Sequence, residues 1–149
     1  MDACNLNPEC PTFVTHLECG LTGERFESDR VHGLSSAGKP LLVRYDLEGL
    51  GKVVAKEALA ARPPDLWRYR EFLPVRKSEN VVSLGETMTP LLSLNRHRNV
   101  LVKDEGRLPT GSFKARGLCL AVSMAKELGI KRMAMPTNGN AGAALSAYA

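Results

Sequence analysis

The sequence predicts an α/β fold built on a parallel sheet and preceded by a small separate lobe. From about Val81 onward, strand signals alternate with helix signals, which is the order expected of strand–helix units in a parallel sheet. The stretch before Leu50 differs, because it is rich in glycine and cysteine and holds a single strand candidate. With 149 residues, 44% of them hydrophobic, the chain can build one core of ordinary domain size.

Composition divides the chain into three stretches. We interpret residues 1–50 as a small N-terminal lobe, 51–80 as a linker with a helical segment, and 81–149 as the start of the α/β domain. In the lobe, Pro40–Asp46 predicts a strand, since its apolar and β-favouring residues stand between glycines. In the linker, Lys52–Ala61 has a short helical pattern that the following proline pair ends.

The third stretch predicts a helix with one strand before it and one strand after it. Asn99–Lys103 is a short β-branched run that fits a buried strand. Ser112 is a candidate N-cap for a helix whose apolar residues recur at helical spacing, and Gly129 would end that helix. Lys131–Met135 predicts the next strand, and a second helix starts at Ala141. Chemically distinctive residues therefore fall at strand-to-helix turns, where open α/β sheets bind ligands.

Charge and hydropathy exclude several classes of protein. The 20 Lys and Arg against 16 Asp and Glu are scattered rather than clustered, so we expect no nucleic-acid partner. The amino terminus lacks the basic and apolar regions of a secretory signal, and no apolar run reaches the roughly 20 residues that a membrane span needs. We expect a cytoplasmic protein that does not bind membranes.

The cysteines leave two interpretations open. The chain contains Cys4, Cys10, Cys19 and Cys119. The first three, with His16 and His32 nearby, could ligate zinc, but no C-x-x-C pair is present, and structural zinc sites usually show paired close spacings. We therefore expect unliganded thiols and no metal.

A lysine at the start of a predicted helix is the first sign of chemistry. Residues 103–117 form a Gly- and Pro-containing loop that delivers Lys114 into the first turn. The positive end of the helix dipole repels an ammonium, and together with partial burial it favours the neutral amine that condenses with an aldehyde. Such a lysine suits a cofactor held as a Schiff base. On local grounds alone, an ordinary exposed lysine is the simpler interpretation.

Three motifs resemble those of the fold type II pyridoxal-phosphate enzymes. The string PTGSFKARG at residues 109–117 resembles the family's lysine motif, and residues 136–142, PTNGNAG, resemble its S-x-G-N-x-[AG] loop with threonine in place of serine. Residues 83–92, SLGETMTPLL, are similar to the entry sequence before the lysine strand. The resemblance implies the tryptophan synthase β-like parallel-sheet fold and the cofactor pyridoxal 5'-phosphate.

The resemblance also implies roles for single residues. Lys114 and Phe113 of the lysine motif would contact the cofactor, with Lys114 bound to it covalently, and Asn140 would hydrogen-bond the cofactor's phenolic oxygen. A second group would bind the substrate carboxylate at a helix start: Thr137, Asn138, Gly139 and Ala141. Taken without the lysine motif, Asn138-Gly139 is equally a simple turn and Asn140 an N-cap.

The long lead-in resembles the threonine synthase subgroup of this family. Residues 17–20 match a Leu-x-Cys-Gly element, residues 40–47 match Pro-Leu-x-Val-Arg-Tyr-Asp-Leu with one inserted leucine, and KDE at 103–105 also fits. The resemblance implies the conversion of O-phosphohomoserine and water to threonine and phosphate. It departs in the cysteines, since relatives often carry two pairs, which leaves a metal-binding use of the lobe in doubt.

Alternatives remain open at this point. The same motifs occur in threonine or serine ammonia-lyases and in β-replacement enzymes such as cysteate synthase, and a catalytically inactive binding protein could keep the fold. The chain ends inside an Ala-rich helix at Ala149, so we expect a piece of a longer enzyme that is inactive alone. We also expect a homodimer. The loop that cradles the cofactor phosphate is expected beyond that residue.

Overall fold

A computed structural model describes residues 12–149, with the backbone alone at residues 97 and 98. Cys4 and Cys10, two of the cysteines considered above, lie outside the described residues. In chain order the strands and α-helices are β1 (Val14–Cys19), β2 (Arg25–Phe26), β3 (Leu41–Tyr45), α1 (Leu47–Val53), α2 (Lys56–Ala61), β4 (Leu91–Leu94), β5 (His97–Lys103), α3 (Lys114–Glu127) and α4 (Asn140–Tyr148). Single 3₁₀ segments cover Leu66–Phe72, Ser78–Asn80 and Glu105–Arg107.

The lobe is a three-stranded antiparallel sheet in the order β2-β1-β3. The strand predicted at Pro40–Asp46 is confirmed as β3, which pairs with β1 along its length. Two hydrogen bonds join the start of β1 to the segment that follows the helices: the Phe13 amide donates to Glu71 O at 3.4 Å, and the Thr12 hydroxyl donates to Leu73 O at 2.9 Å. The lobe is thus tied to the linker.

The helix predicted at Lys52–Ala61 is wrong in its bounds, because α1 and α2 replace it. The Asp46 carboxylate accepts a hydrogen bond from the Gly49 amide at 2.9 Å and so starts α1 five residues earlier than predicted. Val54 then takes an extended conformation and ends α1, as expected where two β-branched residues meet in a short helix. The proline pair ends α2, as predicted.

The strand predicted at Asn99–Lys103 is confirmed within β5, but the expectation that it is buried is wrong. β5 pairs with β4 in an antiparallel hairpin. The successive residues Val100, Leu101 and Val102 are 46%, 55% and 41% exposed. Because successive strand residues point to opposite faces, both faces of this hairpin are open.

The parallel pairing expected of the α/β domain is not seen in the described residues. Every strand pair between residues 12 and 149 is antiparallel, and residues 131–135, predicted as a strand, form none. A strand is defined by the ladder it makes with a neighbour, and here no second strand lies beside this segment within residues 12–149. The architecture is mixed α/β.

The helices of the third stretch follow the prediction except at their first residues. Gly129, at φ +70°, ends α3, with its amide donating to Lys126 O at 3.1 Å, so the predicted stop is confirmed. The Ser112 N-cap is wrong: Phe113 occupies the cap position, and the Ser112 hydroxyl has no partner among the described residues. Helix α4 begins at Asn140, one residue before the predicted start.

The core lies between α3 and α4. Ala115, Cys119 and Val122 recur at helical spacing on α3 and share one buried cluster with Leu108 and with Tyr148 of α4. This packing places the first turn of α3 beside α4, and it therefore positions the two predicted functional loops. None of the helices in residues 12–149 is long and apolar enough to cross a membrane.

Candidate active site

Lys114 is the first residue of α3 and is held there by a turn. The Gly111 amide donates to Leu108 O at 2.8 Å, and Gly111 has φ +70°, a conformation that favours glycine. The Lys114 side chain is half-buried, and within residues 12–149 its amine has no hydrogen-bond or ion-pair partner. Its Nζ lies 4.5 Å from the centroid of the Phe113 ring, which is itself 60% exposed. The amine is thus presented at a helix start and is free to react.

The loop before α4 is organised by the hydroxyl of Thr137. Thr137 Oγ1 accepts hydrogen bonds from the amides of Gly139 at 3.0 Å and Gly142 at 2.8 Å. Gly139, at φ +123°, makes the sharp turn into the helix. Asn140 is therefore not the N-cap, and its side chain is not used to start α4.

One pocket brings most of the predicted site residues together. It has a volume of about 510 Å³ and is lined by Lys114, Met135, Pro136, Thr137, Asn138, Asn140 and Ala141. The first amides of α4, at Asn140 and Ala141, have no partner within a helix, so the pocket wall includes a helix start. Gly139 and Phe113 are not among the lining residues, and the Gly139 amide is already bonded to Thr137.

Sequence reasoning missed a buried carboxylate that is hydrogen-bonded to both α3 and α4. Glu86 has no exposed surface, and each carboxylate oxygen accepts two hydrogen bonds. Oε1 accepts from the Leu84 amide at 2.8 Å and from the Tyr148 hydroxyl, while Oε2 accepts from the Ser83 hydroxyl at 2.7 Å and the Cys119 thiol at 3.4 Å.

These bonds fix the ionisation of the cluster. Burial opposes the charge on Glu86, but the hydrogen bonds from Tyr148, Ser83 and Leu84 outweigh it and lower the pKa of this carboxyl. Burial raises the pKa of the Cys119 thiol, and burial together with Glu86 raises that of the Tyr148 hydroxyl. The cluster is therefore one carboxylate surrounded by neutral donors. In the sequence, the one sign of this cluster is an acidic residue, Glu86, within the motif at residues 83–92.

A second missed carboxylate braces the first turn of α3. Glu105 accepts from Arg116 Nε at 2.7 Å and from the Thr89 hydroxyl. Arg116 also donates to Thr87 O at 2.9 Å. The Arg116 and Thr89 hydrogen bonds lower the pKa of Glu105 to about 2. Glu105, the last residue of the KDE string, thus holds the first turn of the helix that begins at Lys114.

The segment that carries the candidate site is similar to known proteins. Residues 82–149 match the family model of pyridoxal-phosphate dependent enzymes. The chain is 38% identical over 136 residues to a threonine synthase of Methanocaldococcus jannaschii, covering 87% of this chain and 34% of that protein. It is 36% identical over 140 residues to a threonine synthase of Methanosarcina acetivorans, covering 89% of this chain and again 34% of the relative. The chain thus spans about a third of the length of these relatives. The similarity to the pyridoxal-phosphate dependent enzymes thus covers residues 82–149.

Proposed function

We propose that the protein carrying this chain is a threonine synthase, which converts O-phospho-L-homoserine and water to L-threonine and phosphate. The observation that supports it most is the shared pocket of Lys114, Thr137, Asn138 and Asn140 in a chain similar to proteins named threonine synthase. The pocket alone fits several reactions of the family. The choice among them rests on the relatives.

The residues present fit pyridoxal 5'-phosphate. Within residues 12–149 the Lys114 amine has no hydrogen-bond or ion-pair partner, and it faces a pocket whose other side-chain polar groups are a hydroxyl and two amides. Such a set suits an aldehyde and a phenolic oxygen. The hydroxyls of Thr110 and Ser112, in the turn before Lys114, are buried without a hydrogen-bond partner among the described residues. Buried hydroxyls are normally satisfied, so this turn has donors to offer to a bound group.

Each residue then has one task. Lys114 would hold the cofactor through its amine, and the same amine would remove and return protons at the substrate carbons. Asn140 would donate a hydrogen bond to the cofactor's phenolic oxygen, and Phe113 would contact the cofactor. Thr137, Asn138 and the amides of Gly139 and Ala141 receive the substrate carboxylate. The cofactor, when bound, delocalises the negative charge that proton removal creates.

The Gly139 amide is less available to bind the substrate than the amides of Asn140 and Ala141. It already donates to Thr137 Oγ1, so it would have to leave that bond or share it. Asn140 and Ala141, as the first two residues of α4, have unshared amides at the pocket.

The proposal extends to fold and setting. It includes the fold type II parallel sheet, an α/β domain that starts near residue 81, and a small lobe before it. The family match that starts at residue 82 supports that boundary. It also includes a cytoplasmic, homodimeric enzyme whose substrate is a small phosphorylated amino acid, with no nucleic-acid or membrane partner.

The test is phosphate release from O-phospho-L-homoserine by the whole protein that carries these residues, with threonine identified by chromatography. Stoichiometric phosphate and threonine are the expected result. Formation of 2-oxobutanoate and ammonia from threonine without phosphate release would instead identify an ammonia-lyase. Residues 1–149 alone are run beside it, and we expect them to be inactive because they span a third of the relatives' length.

A further inference from the structure

We infer that Glu86 is a positioning residue that sets the place of Lys114 relative to Asn140 by joining α3 to α4. The inference rests on the proposed cofactor-binding roles of Lys114 and Asn140. Glu86 itself lines no part of the pocket that holds them. It acts through the two helices on which those residues stand.

The hydrogen bonds of Glu86 connect three parts of the chain. Ser83 and Leu84 belong to its own loop, Cys119 lies on α3 five residues after Lys114, and Tyr148 is the last residue of α4, eight residues after Asn140. The carboxylate thus receives donors from both site-bearing helices at once.

The apolar α3–α4 packing brings the two helices together, and the bonds of Glu86 add a directional constraint to it. The fully buried residues on these faces are small, namely Ala115, Cys119 and Ala144, each 0% exposed. Smooth faces of small side chains allow close approach but resist sliding weakly, because few side chains interdigitate. A saturated carboxylate has discrete, directional partners, so it defines one position of the two helices.

Because α4 is a short continuous helix, the bond between Tyr148 and Glu86 at its end also affects the position of Asn140 at its start. Residues 140 and 148 are separated by about 12 Å along a helix axis, and a helix of this length moves as one body. Loss of the bond between Tyr148 and Glu86 therefore changes the tilt of α4 and moves Asn140 relative to Lys114. Misplacement of a catalytic group by even 1 Å can cost about 100-fold in rate.

The variant that tests this is Tyr148→Phe, with Ser123→Ala as its matched control. Ser123 lies on α3 and is 0% exposed. Its hydroxyl accepts from the Val82 amide at 2.9 Å and donates to Cys119 O at 2.8 Å, and within residues 12–149 it has no hydrogen bond to α4. Both variants lose one buried hydroxyl. Only Tyr148→Phe loses the connection between α4 and the carboxylate.

Two readouts are taken on the whole protein loaded with pyridoxal 5'-phosphate. The first is the pH midpoint at which the absorbance of the Lys114-bound cofactor changes. For Tyr148→Phe we expect a shift of about 0.5 pH unit or more, the size expected when one hydrogen bond near a titrating group changes. The second is kcat, which should fall about tenfold with KM within about twofold. Ser123→Ala should lower the melting temperature similarly and move neither readout.

Glu86→Gln and Glu86→Ala form a second pair. A glutamine can keep its oxygen toward Tyr148 and Leu84 and turn its amide toward Ser83 and Cys119. The Ser83 hydroxyl can accept from that amide, and the Cys119 thiol can donate to Val82 O at 3.1 Å, so the variant should retain a midpoint near that of the wild type. Glu86→Ala should not. A wild-type midpoint in Tyr148→Phe, or equal shifts in Tyr148→Phe and Ser123→Ala, would overturn the inference. Because the absorbance needs no substrate, a protein that binds the cofactor but releases no phosphate refutes only the proposed reaction.

Discussion

The hydroxyl oxygen of Thr137 lies 2.8 Å from the amide nitrogen of Gly142, and a side chain on Gly142 would collide with the same threonine. A β-carbon at Gly142 would stand 2.7 Å from Thr137 Cγ2 and 3.3 Å from Oγ1. The threonine therefore starts α4 by a hydrogen bond and also occupies the space above its third residue. Both contacts hold the loop that carries Asn140.

Gly142→Ala should destabilise the protein by about 1–3 kcal/mol, because the added methyl overpacks against Thr137. The double variant Thr137→Ser with Gly142→Ala should recover most of that loss, since serine keeps the hydroxyl but lacks Cγ2. The free energy of unfolding in urea measures both. If serine at residue 137 gives no recovery, the Cγ2 contact is not the cause.

Lys114→Ala should abolish both turnover and the borohydride-reducible attachment of pyridoxal 5'-phosphate. Lys126→Ala is the matched control, because Lys126 lies in the last turn of the same helix and donates to Glu79 O on the surface. Mass spectrometry of the reduced, digested protein locates the attachment. Reduced cofactor on a lysine other than Lys114 would contradict the assignment.

Glu105 should contribute stability that acid removes in a defined window. Its pKa is lowered from 4.5 to about 2 by Arg116 and Thr89, so the folded state gains from this carboxylate above pH 4.5 and loses the gain as the pH falls from about 4.5 to about 2. Glu105→Gln should lower the free energy of unfolding at neutral pH by about 1–2 kcal/mol. In the variant, this free energy should also depend less on pH between about 4.5 and about 2.

The measurement for Glu105 is the difference in the free energy of unfolding between the wild type and the variant at several pH values. A difference is needed because Glu71 and Glu86 also have lowered pKa values and contribute acid dependence to both proteins. A difference that stays constant from neutral pH to about pH 2 would show that Glu105 is not paired in the folded state.

The lobe should bind no stoichiometric zinc. Among residues 12–149 there is no group of three potential metal ligands, and Cys19 is 1% exposed beside the hydroxyls of Ser35 and Thr22, which lower its pKa to about 7. Elemental analysis of protein purified without chelator should give substoichiometric metal. One zinc per chain that disappears in Cys19→Ser would overturn this prediction.

The sequence was most informative where a local pattern determines local structure. The β-favouring run at β3, the helical spacing of α3 and Gly129 at its end were each predicted from neighbouring residues, since propensity and capping act over a few positions. The motifs also placed Lys114 and Asn140 in loops that the structure brings to one pocket.

What could not be predicted depends on residues far apart in the chain. Glu86 is an acid in a polar loop by sequence, and its burial follows only from the approach of Tyr148, 62 residues later. Likewise, Leu91–Leu94 carries no turn signal of its own, and its antiparallel pairing with β5 made a hairpin where a buried parallel strand was expected. Pairing partners are a tertiary property that periodicity does not encode.

Residues 71–77, between α2 and β4, are hydrogen-bonded both to the lobe and to α3, and this bears on cooperativity. Glu71 O and Leu73 O accept from residues 13 and 12, which directly precede β1. A few residues later, the Glu127 carboxylate at the end of α3 accepts from the amides of Arg76 and Lys77. Opening the lobe therefore breaks bonds that lead directly to the helix that starts at Lys114. The lobe and that helix should melt in a single calorimetric transition rather than in two.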